Sequence, residues 1–314
     1  MKHTFEEASD IFNCQFFKLL RAAHEVHAQN FDEQSVQISD ILSVKTGGCS
    51  EDCAYCAQSA RNGYKMPKQP MLDLETVLAA ARKAKERGAG RFCMSASGRC
   101  PSSDDEFEKI CEMVRCVKSL GMETCVTLGF LTEAQAIKLK ESGLDYYNHN
   151  VDTSPEFYSQ IVSTRTMDDR IHTIETVQKV GINVCSGGIV GMGESNEDRI
   201  RMLVLLANLV VPPSCVPLNK LVKTPGSRVD DSKPIDDFDF VRMIALARIL
   251  MPKSYVKIAA GRNTLSEAVQ ALCIFAGANA LFSGEKLLTV DNVEQGFDCN
   301  LFRKLDIKIE QYHG

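Results

Sequence analysis

The sequence lacks the features that would direct a chain to a membrane, to nucleic acid or to export. No apolar run reaches the roughly 18 residues that a membrane-spanning helix needs. Acidic residues (41) outnumber lysines and arginines (36), and the net charge of −5 provides no basic surface for nucleic acid or anionic lipid. Residues 1–10 contain no basic region followed by an apolar core. We therefore expect neither a signal peptide nor a membrane or nucleic-acid partner.

The composition is that of a globular protein that works in a reducing compartment. Hydrophobic residues make up 44% and charged residues 25% of the 314 positions, with no low-complexity segment and no internal repeat. Thirteen cysteines would suggest disulfides in a secreted chain. Without an export signal, metal-binding thiolates in the cytoplasm explain them better.

Three of the cysteines are closely spaced. Cys49, Cys53 and Cys56 follow a C-x3-C-x2-C pattern, directly after Gly47 and Gly48, which permit a tight backbone turn. Three thiolates on one loop can hold three corners of a cubane iron–sulfur cluster, and the fourth iron then keeps an open coordination position. The pattern indicates a metal centre that performs chemistry.

A structural zinc site is the alternative interpretation of this loop. Such a site needs a fourth His or Cys ligand at short spacing, and the next cysteine is Cys93. Ligand softness and spacing therefore favour iron–sulfur over zinc.

Strand and helix patterns alternate through most of the chain. The predicted strands are 36–44, 91–96, 123–128, 146–151, 183–190, 216–222, 254–259 and 280–282, and helices follow all but the last. Strict alternation implies a parallel sheet, and eight repeats predict closure into a (βα)8 TIM-type barrel. Active sites of such barrels lie at the carboxyl ends of the strands, where the cysteine loop falls.

We predict a single domain with three parts. The helical lead-in covers 1–35, the barrel about 36–284, and a C-terminal tail 285–314. One helix is expected over 9–29, and His24 and His27 near its end are expected to be surface or cap groups, since no ligand pattern accompanies them.

A second group of thiols lies on the predicted strands. Cys93, Cys125 and Cys185 each fall within a different strand, and Lys257 falls within a fourth. If they point inward, they converge inside the barrel, where polar groups need partners. Each cysteine alone could be a small buried hydrophobe, whereas a bound cluster would satisfy all three.

Several longer motifs resemble one family. The cysteine triad, with Tyr55 before its last cysteine, resembles the radical S-adenosylmethionine (SAM) enzymes. YNHNVDT (147–153), CSGGIVGMGE (185–194) and SYVKIAAGR (254–262) resemble the biotin synthases of that superfamily, and the likeness covers about residues 10–310.

The resemblance implies two clusters and a radical reaction. A [4Fe-4S] cluster on Cys49, Cys53 and Cys56 would bind S-adenosyl-L-methionine, and an electron from flavodoxin or ferredoxin would release a 5′-deoxyadenosyl radical. That radical would abstract hydrogen at two carbons of dethiobiotin. A [2Fe-2S] cluster on Cys93, Cys125 and Cys185 would supply the sulfur that completes biotin. A homodimer is also implied.

The resemblance also implies the roles of other residues. Tyr55 and the segment around Gly188 would lie against S-adenosylmethionine, and Arg170 would lie near its carboxylate. Asn150 and Asp152 would lie between the cofactor ribose and the substrate, and Asn219 would contact the ureido ring. Asn148, Asn150 and Asp152 alternate on the predicted fourth strand and so should face the same way.

The sequence departs from the family pattern at one ligand. Lys257 stands where the family has an arginine that ligates the second cluster, and a lysine must lose its proton to bind iron. It could be a ligand or only balance the cluster's charge, and Cys100 is an alternative ligand. The remaining cysteines are expected to be packing or surface thiols: Cys14, Cys111, Cys116, Cys215, Cys273 and Cys299.

Two other functions are compatible with the residues. A different radical enzyme could use the same barrel, although the asparagines suit the cyclic urea of dethiobiotin, since an amide both donates and accepts hydrogen bonds. A non-catalytic metal-binding or redox-sensing protein could use the triad structurally.

Overall fold

The computed structural model describes residues 2–64, 66–284, 286–294 and 296–312. Met1 of the predicted lead-in, Lys65 of the barrel, and Glu285, Gln295, His313 and Gly314 of the tail therefore lie outside the described residues. The strands are β1 (Ser35–Lys45), β2 (Arg91–Ala96), β3 (Glu123–Thr127), β4 (Tyr146–Asn148), β5 (Asn183–Cys185), β6 (Gly188–Val190), β7 (Cys215–Lys220), β8 (Tyr255–Ile258), β9 (Ala280–Phe282), β10 (Lys286–Leu287), β11 (Val290–Asp291) and β12 (Lys308–Ile309). The helices are α1 (Phe5–Asn13), α2 (Phe16–Asn30), α3 (Leu74–Glu86), α4 (Asp104–Ser119), α5 (Glu133–Glu141), α6 (Pro155–Ile161), α7 (Met167–Lys179), α8 (Asn196–Ala207), α9 (Asp237–Leu250), α10 (Glu267–Phe275) and α11 (Phe297–Lys304), with a 3-10 turn at Arg262–Thr264.

The predicted (βα)8 barrel is confirmed. Parallel strands run in the order β1-β2-β3-β4-β5-β7-β8-β9, and β1 pairs with β9 to close the sheet. β6 continues the path of β5 and pairs with β7, and its Gly188 also forms an isolated parallel bridge with Asp152. Helices between successive strands cover the outside of the sheet, and in the described part of the chain no helix is long and apolar enough to cross a membrane.

Side chains at the helix starts explain the boundaries of several helices. Thr132, Thr166 and Ser195 each accept a hydrogen bond from the backbone of the third helical residue, whose own side chain bonds back to the cap. The capping box predicted at Thr132 and Gln135 is thus confirmed. These caps satisfy backbone amides that would otherwise have no partner within the helix.

Two predicted elements are each divided in the structure. The lead-in forms two helices, α1 and α2, that break at Cys14 and Gln15, and they pack on α8 and α9. The predicted strand 183–190 is interrupted between β5 and β6. A side chain at Gly187 would place its Cβ 1.9 Å from the carbonyl oxygen of Pro217, so the backbones are too close for any larger residue.

His27 is buried, so its predicted position at the surface is wrong. The residue is 2% exposed and its ring stacks on Phe31 with a centroid distance of 5.7 Å. Burial, together with the charge of Arg248, lowers the pKa of His27 from 6.5 to about 4.

This burial predicts a pH-dependent stability. Below pH 6.5 His27 becomes protonated in the unfolded chain, whereas in the folded chain it stays neutral until about pH 4. The contribution of neutral His27 to the free energy of unfolding is therefore fully present above pH 6.5 and is lost as the pH falls towards 4. We expect a loss of about 2–3 kcal/mol over this range. Urea unfolding of His27→Leu should show a smaller change in the free energy of unfolding between pH 7 and 4.5 than the wild type does. An identical pH dependence in His27→Leu would contradict the prediction.

Candidate active site

A cavity of about 280 Å³ opens at the carboxyl ends of the barrel strands and extends into the barrel. Both predicted groups of thiols line it, the loop group at its mouth and the strand group inside: Cys49, Cys53 and Cys56, then Cys93, Cys125 and Cys185. Leu287 and Leu288 of the C-terminal hairpin contribute apolar lining. The fold therefore brings together six thiols that are up to 136 positions apart in the chain.

The cysteine loop after β1 is held by backbone and amide hydrogen bonds. Gly47 and Gly48 adopt φ values of 76° and 67°, which favour glycine. The Nδ2 of Asn62 donates to the carbonyl oxygens of Cys53 and Cys56, both at 2.9 Å. These contacts fix the loop that carries the three thiols.

Gly47 supplies a test of this loop. A Cβ there would lie 2.7 Å from the carbonyl oxygen of Pro67, whereas Gly181, with nearly the same φ of 75°, has nothing within 4 Å. Gly47→Ala should therefore displace the loop and lower the iron bound at the triad several-fold, measured on anaerobically purified protein. Gly181→Ala carries the same backbone strain, about 1 kcal/mol, and should keep its iron. Equal iron contents in the two variants would show that the clash has no effect.

Arg165 is a site residue that the sequence analysis missed. Its Nη2 donates to the Sγ of Cys53 at 3.0 Å, and it lies 3.8 Å from a carboxylate oxygen of Glu51. Burial raises the pKa of the Cys53 thiol to about 12, and the charge of Arg165 opposes that rise. Arg165 thus stabilises negative charge on a sulfur that must lose its proton to bind metal. In the sequence, the available signal for Arg165 was its position immediately before Thr166, the residue that caps α7.

Acidic residues inside the triad connect the loop to the segment after α6. Asp52 accepts from the backbone amides of Ser163 and Thr164 at 2.9 and 3.2 Å, and Glu51 accepts from the Thr164 hydroxyl. These bonds link chain positions more than 100 residues apart. They hold Arg165 against the loop.

Asp152 and Arg170 form a buried ion pair in the cavity wall. Their side chains are 3% and 7% exposed and are hydrogen-bonded, and Arg170 also donates to the hydroxyl of Tyr158 at 3.1 Å. Burial alone would lower the pKa of Arg170, but the charge of Asp152 raises it. Asp152 adopts a φ of 70°, unusual for a residue with a side chain. The fourth strand was predicted to reach residue 151 but ends at Asn148, so Asn150 and Asp152 lie beyond it and the predicted alternation of the three residues on one strand is wrong.

The three predicted asparagines line the cavity. Asn148 donates to the Oδ1 of Asn150 at 3.3 Å, and that oxygen also accepts from the amide of Gly187 at 3.2 Å. Asn219 donates to the carbonyl oxygen of Gly188 and accepts from the amide of Ala260. These bonds orient polar amide groups towards one side of the cavity.

Four thiols, not three, lie inside the barrel. Cys93 and Cys125 are paired in register on β2 and β3, and Cys185 and Cys215 are paired on β5 and β7. The interaction between the two thiols of each pair lowers the pKa of Cys93 and Cys215, the latter to about 6, and raises the pKa of Cys125 and Cys185. Cys215, expected to be a packing or surface thiol, is buried on β7 directly opposite Cys185.

Two buried cationic side chains, Lys257 and Arg91, also lie on the barrel strands. The Nζ of Lys257 is buried, donates to the hydroxyl of Ser39 at 2.7 Å and lies 4.3 Å from the Phe282 ring centroid. Arg91, also buried, lies over the Tyr146 ring at 3.4 Å and forms an ion pair with Glu123. This interior is therefore suited to an anionic group.

The donor set fits iron–sulfur clusters better than single metal ions. Among the described residues, no three His, Cys, Asp or Glu side chains converge closely enough to hold one ion. A cluster is several atoms wide, so its thiolates are farther apart than the ligands of a zinc ion. Soft thiolates from two separate groups suit two clusters.

Comparison with known proteins shows the family. A model described as the Radical SAM superfamily matches residues 43–207, and one described as the Biotin and Thiamin Synthesis associated domain matches residues 217–308. The biotin synthase of Agrobacterium fabrum is 54% identical over 305 residues, covering 97% of this chain and 90% of the relative. The biotin synthase of Rickettsia felis is 51% identical over 306 residues, covering 98% and 99%.

The chain belongs to the biotin synthase family. It is a radical SAM enzyme that inserts sulfur into dethiobiotin to form biotin, and a [4Fe-4S] cluster and S-adenosylmethionine are its cofactors. The predicted family, the predicted reaction and two predicted cofactors, the [4Fe-4S] cluster and S-adenosylmethionine, are thereby confirmed.

Two solved structures share the fold of this biotin synthase. Methylornithine synthase (PylB) aligns with a TM-score of 0.84 at 17% identity, covering 99% of this chain and 95% of its own. The hydrogenase maturase HydG of Carboxydothermus hydrogenoformans aligns with a TM-score of 0.82 at 16% identity, covering 98% and 76%. At these sequence identities the structural similarity shows a shared barrel fold and says nothing about a shared substrate.

Three predicted site positions of the biotin synthase do not line the cavity: Gly188, Cys100 and Lys257. A Cβ at Gly188 would lie 2.0 Å from the Met202 sulfur, so glycine is required there by packing against α8. Cys100 is exposed on the loop after β2, a position that argues against its role as a substitute cluster ligand. By contrast, Tyr55, Asn150, Asp152, Arg170 and Asn219 all line the cavity.

Proposed function

We propose that Cys93, Cys125 and Cys185 hold a second, [2Fe-2S] cluster in this biotin synthase, and that this cluster is the source of the inserted sulfur. One observation carries the proposal: these buried thiols line the same cavity as the triad. A substrate bound between the two groups would meet the radical source on one side and the sulfur source on the other. Without a bound group, three thiols would replace the branched aliphatics that usually fill a barrel.

Residues between the two thiol groups suit S-adenosylmethionine. The carboxylate of Asp152 can accept from ribose hydroxyls, while its ion pair with Arg170 offsets the cost of burying both groups in the cavity wall. Arg170 has further N–H groups suited to a carboxylate. Tyr55 contributes lining next to the triad, and Gly188 keeps β6 close to Asp152, whose carbonyl oxygen lies 2.7 Å from the position of a Cβ at Gly188.

Asn150 and Asn219 are the proposed substrate-binding groups. Amide side chains both donate and accept, as the ureido ring of dethiobiotin does. The bonds of Asn219 to the backbone at Gly188 and Ala260 fix its orientation before substrate arrives. Leu287 and Leu288 provide the apolar lining that would exclude water from a radical intermediate.

The proposed context of the enzyme follows from its chemistry. Reductive cleavage of S-adenosylmethionine by the bound [4Fe-4S] cluster consumes an electron, which a flavodoxin or ferredoxin would supply. Thirteen cysteines and open clusters suit the reducing cytoplasm. A homodimer is proposed from the family alone.

Mössbauer spectroscopy of the anaerobically purified protein tests the proposal. We expect two signals, from a [4Fe-4S] and a [2Fe-2S] cluster, with the second disappearing as biotin forms in a single turnover. A variant with Ala at Cys49, Cys53 and Cys56 should keep only the [2Fe-2S] signal. A wild-type protein that forms biotin with the [4Fe-4S] signal alone would refute the second cluster.

A further inference from the structure

We propose that Cys215, and not Lys257, is the fourth protein ligand of the second cluster. This rests on the proposed presence of that cluster and concerns how this chain completes its coordination. Four thiolates would then enclose the cluster: Cys93, Cys125, Cys185 and Cys215.

The position of Cys215 within the barrel supports this assignment. It is the first residue of β7, directly opposite Cys185 of β5, and is 0% exposed. Pro217, two residues further along β7, lines the cavity, so Cys215 lies on the strand face that points into the barrel. A cysteine directly opposite one proposed ligand needs little movement to share its iron.

The thiols form two pairs, as a [2Fe-2S] cluster requires. Each iron of such a cluster takes two protein ligands in addition to two bridging sulfides. Cys93 and Cys125 form one pair on adjacent strands, and Cys185 and Cys215 form the other. The two pairs are separated by one strand, since Cys125 lies opposite Tyr146 of β4 and Cys185 lies opposite Asn148, two residues further along β4. One pair for each iron accounts for all four thiols.

Lys257 has contacts suited to a cation. Its Nζ donates to the hydroxyl of Ser39 at 2.7 Å and lies 4.3 Å from the centroid of the Phe282 ring. An ammonium group is attracted to an aromatic face, whereas a neutral amine that binds iron must direct its lone pair to the metal. Lys257 also lies close enough to Cys93, Cys185 and Cys215 to stabilise their thiolates. It therefore balances charge next to the cluster.

Arg91 supplies a second cation on the same side. It is 0% exposed, and it lies close enough to Cys215 to stabilise its thiolate. Its Nη1 has no hydrogen-bond partner among the described residues. Four thiolates and two bridging sulfides leave an oxidised [2Fe-2S] cluster with net negative charge, which the two cations would offset in a buried site.

The test compares five full-length proteins after anaerobic cluster reconstitution: the wild type, Cys215→Ala, Cys215→Ser, Lys257→Met and Cys273→Ala. Cys273 is the matched control, since it is a 0% exposed cysteine on α10 in the outer layer. The measurements are iron per chain, Mössbauer and resonance Raman spectra, and pulsed EPR of the reduced [2Fe-2S] cluster for nitrogen coupling. The [4Fe-4S] signal of each variant verifies that it is folded.

We expect the wild type to show no directly coordinated nitrogen. Cys215→Ala should lose most of the [2Fe-2S] iron, and Cys215→Ser should keep iron but with shifted Fe–S vibrations. Lys257→Met and Cys273→Ala should retain the all-thiolate spectrum. The proposal is overturned if Cys215→Ala has the wild-type spectrum, or if a nitrogen coupling is present and is lost in Lys257→Met. A wild type with no [2Fe-2S] signal would instead refute the second cluster itself.

Discussion

Cys125→Ala is expected to abolish biotin formation while reductive cleavage of S-adenosylmethionine continues. Cys125 is buried on β3, is paired in register with Cys93 of β2, and belongs to the proposed sulfur-donating site. The triad that supports radical formation lies on another loop and keeps all its thiols. The measurement is 5′-deoxyadenosine and biotin in the same anaerobic reaction with dethiobiotin. We expect 5′-deoxyadenosine in the variant with biotin at background.

The control for this result is Cys111→Ala. Cys111 is also 0% exposed but lies on α4, in the outer layer of the barrel. The Cys111→Ala variant also loses one buried thiol group, and it should keep full biotin formation. Full turnover in Cys125→Ala would show that its thiol has no part in sulfur insertion, and loss of 5′-deoxyadenosine as well would show that the substitution damages the first site.

Asp152→Asn is expected to cost both stability and activity. The substitution leaves Arg170 charged and buried without its counterion, which typically costs about 3–5 kcal/mol. It also removes the carboxylate proposed to accept from the cofactor ribose. The free energy of unfolding from urea titration should fall by about 3 kcal/mol, and biotin formation should fall by roughly 100-fold or more, equivalent to about 2.7 kcal/mol in the transition state.

The matched control is Glu267→Gln, which breaks an ion pair with Lys304 at the surface. The two side chains of that pair are 41% and 55% exposed, so its loss should change stability by less than about 1 kcal/mol. A double variant, Asp152→Leu with Arg170→Met, should recover much of the stability but none of the activity. Equal effects of Asp152→Asn and Glu267→Gln would contradict the buried-pair argument, and recovered activity in the double variant would contradict the binding role of Asp152.

Local signals account for most of what could be predicted. The alternation of strand and helix patterns gave the barrel, with β2 and β9 at their predicted boundaries. The spacing of Cys49, Cys53 and Cys56 indicated an iron–sulfur loop because all three ligands lie within one short segment. The capping box was also predictable from a short segment, because its two residues, Thr132 and Gln135, are three positions apart.

Features that depend on distant neighbours were missed or left open. Cys215 gave no signal, because a lone cysteine in a strand has the same pattern whether it packs as a small hydrophobe or faces another thiol. Its pairing with Cys185 follows from the register between β5 and β7. Arg165 likewise meets Cys53 only because Asp52 and Glu51 hold the two segments together.

The linear order of residues was therefore sufficient for the barrel, the first cluster loop and the family, because each is encoded by periodicity or by short spacings. Barrel closure was needed to assemble four thiols and two cations in one interior and to join Asp152 to Arg170. The physical reason is that strand register and inward orientation are set by the packing of the whole sheet. No short window of sequence contains that information.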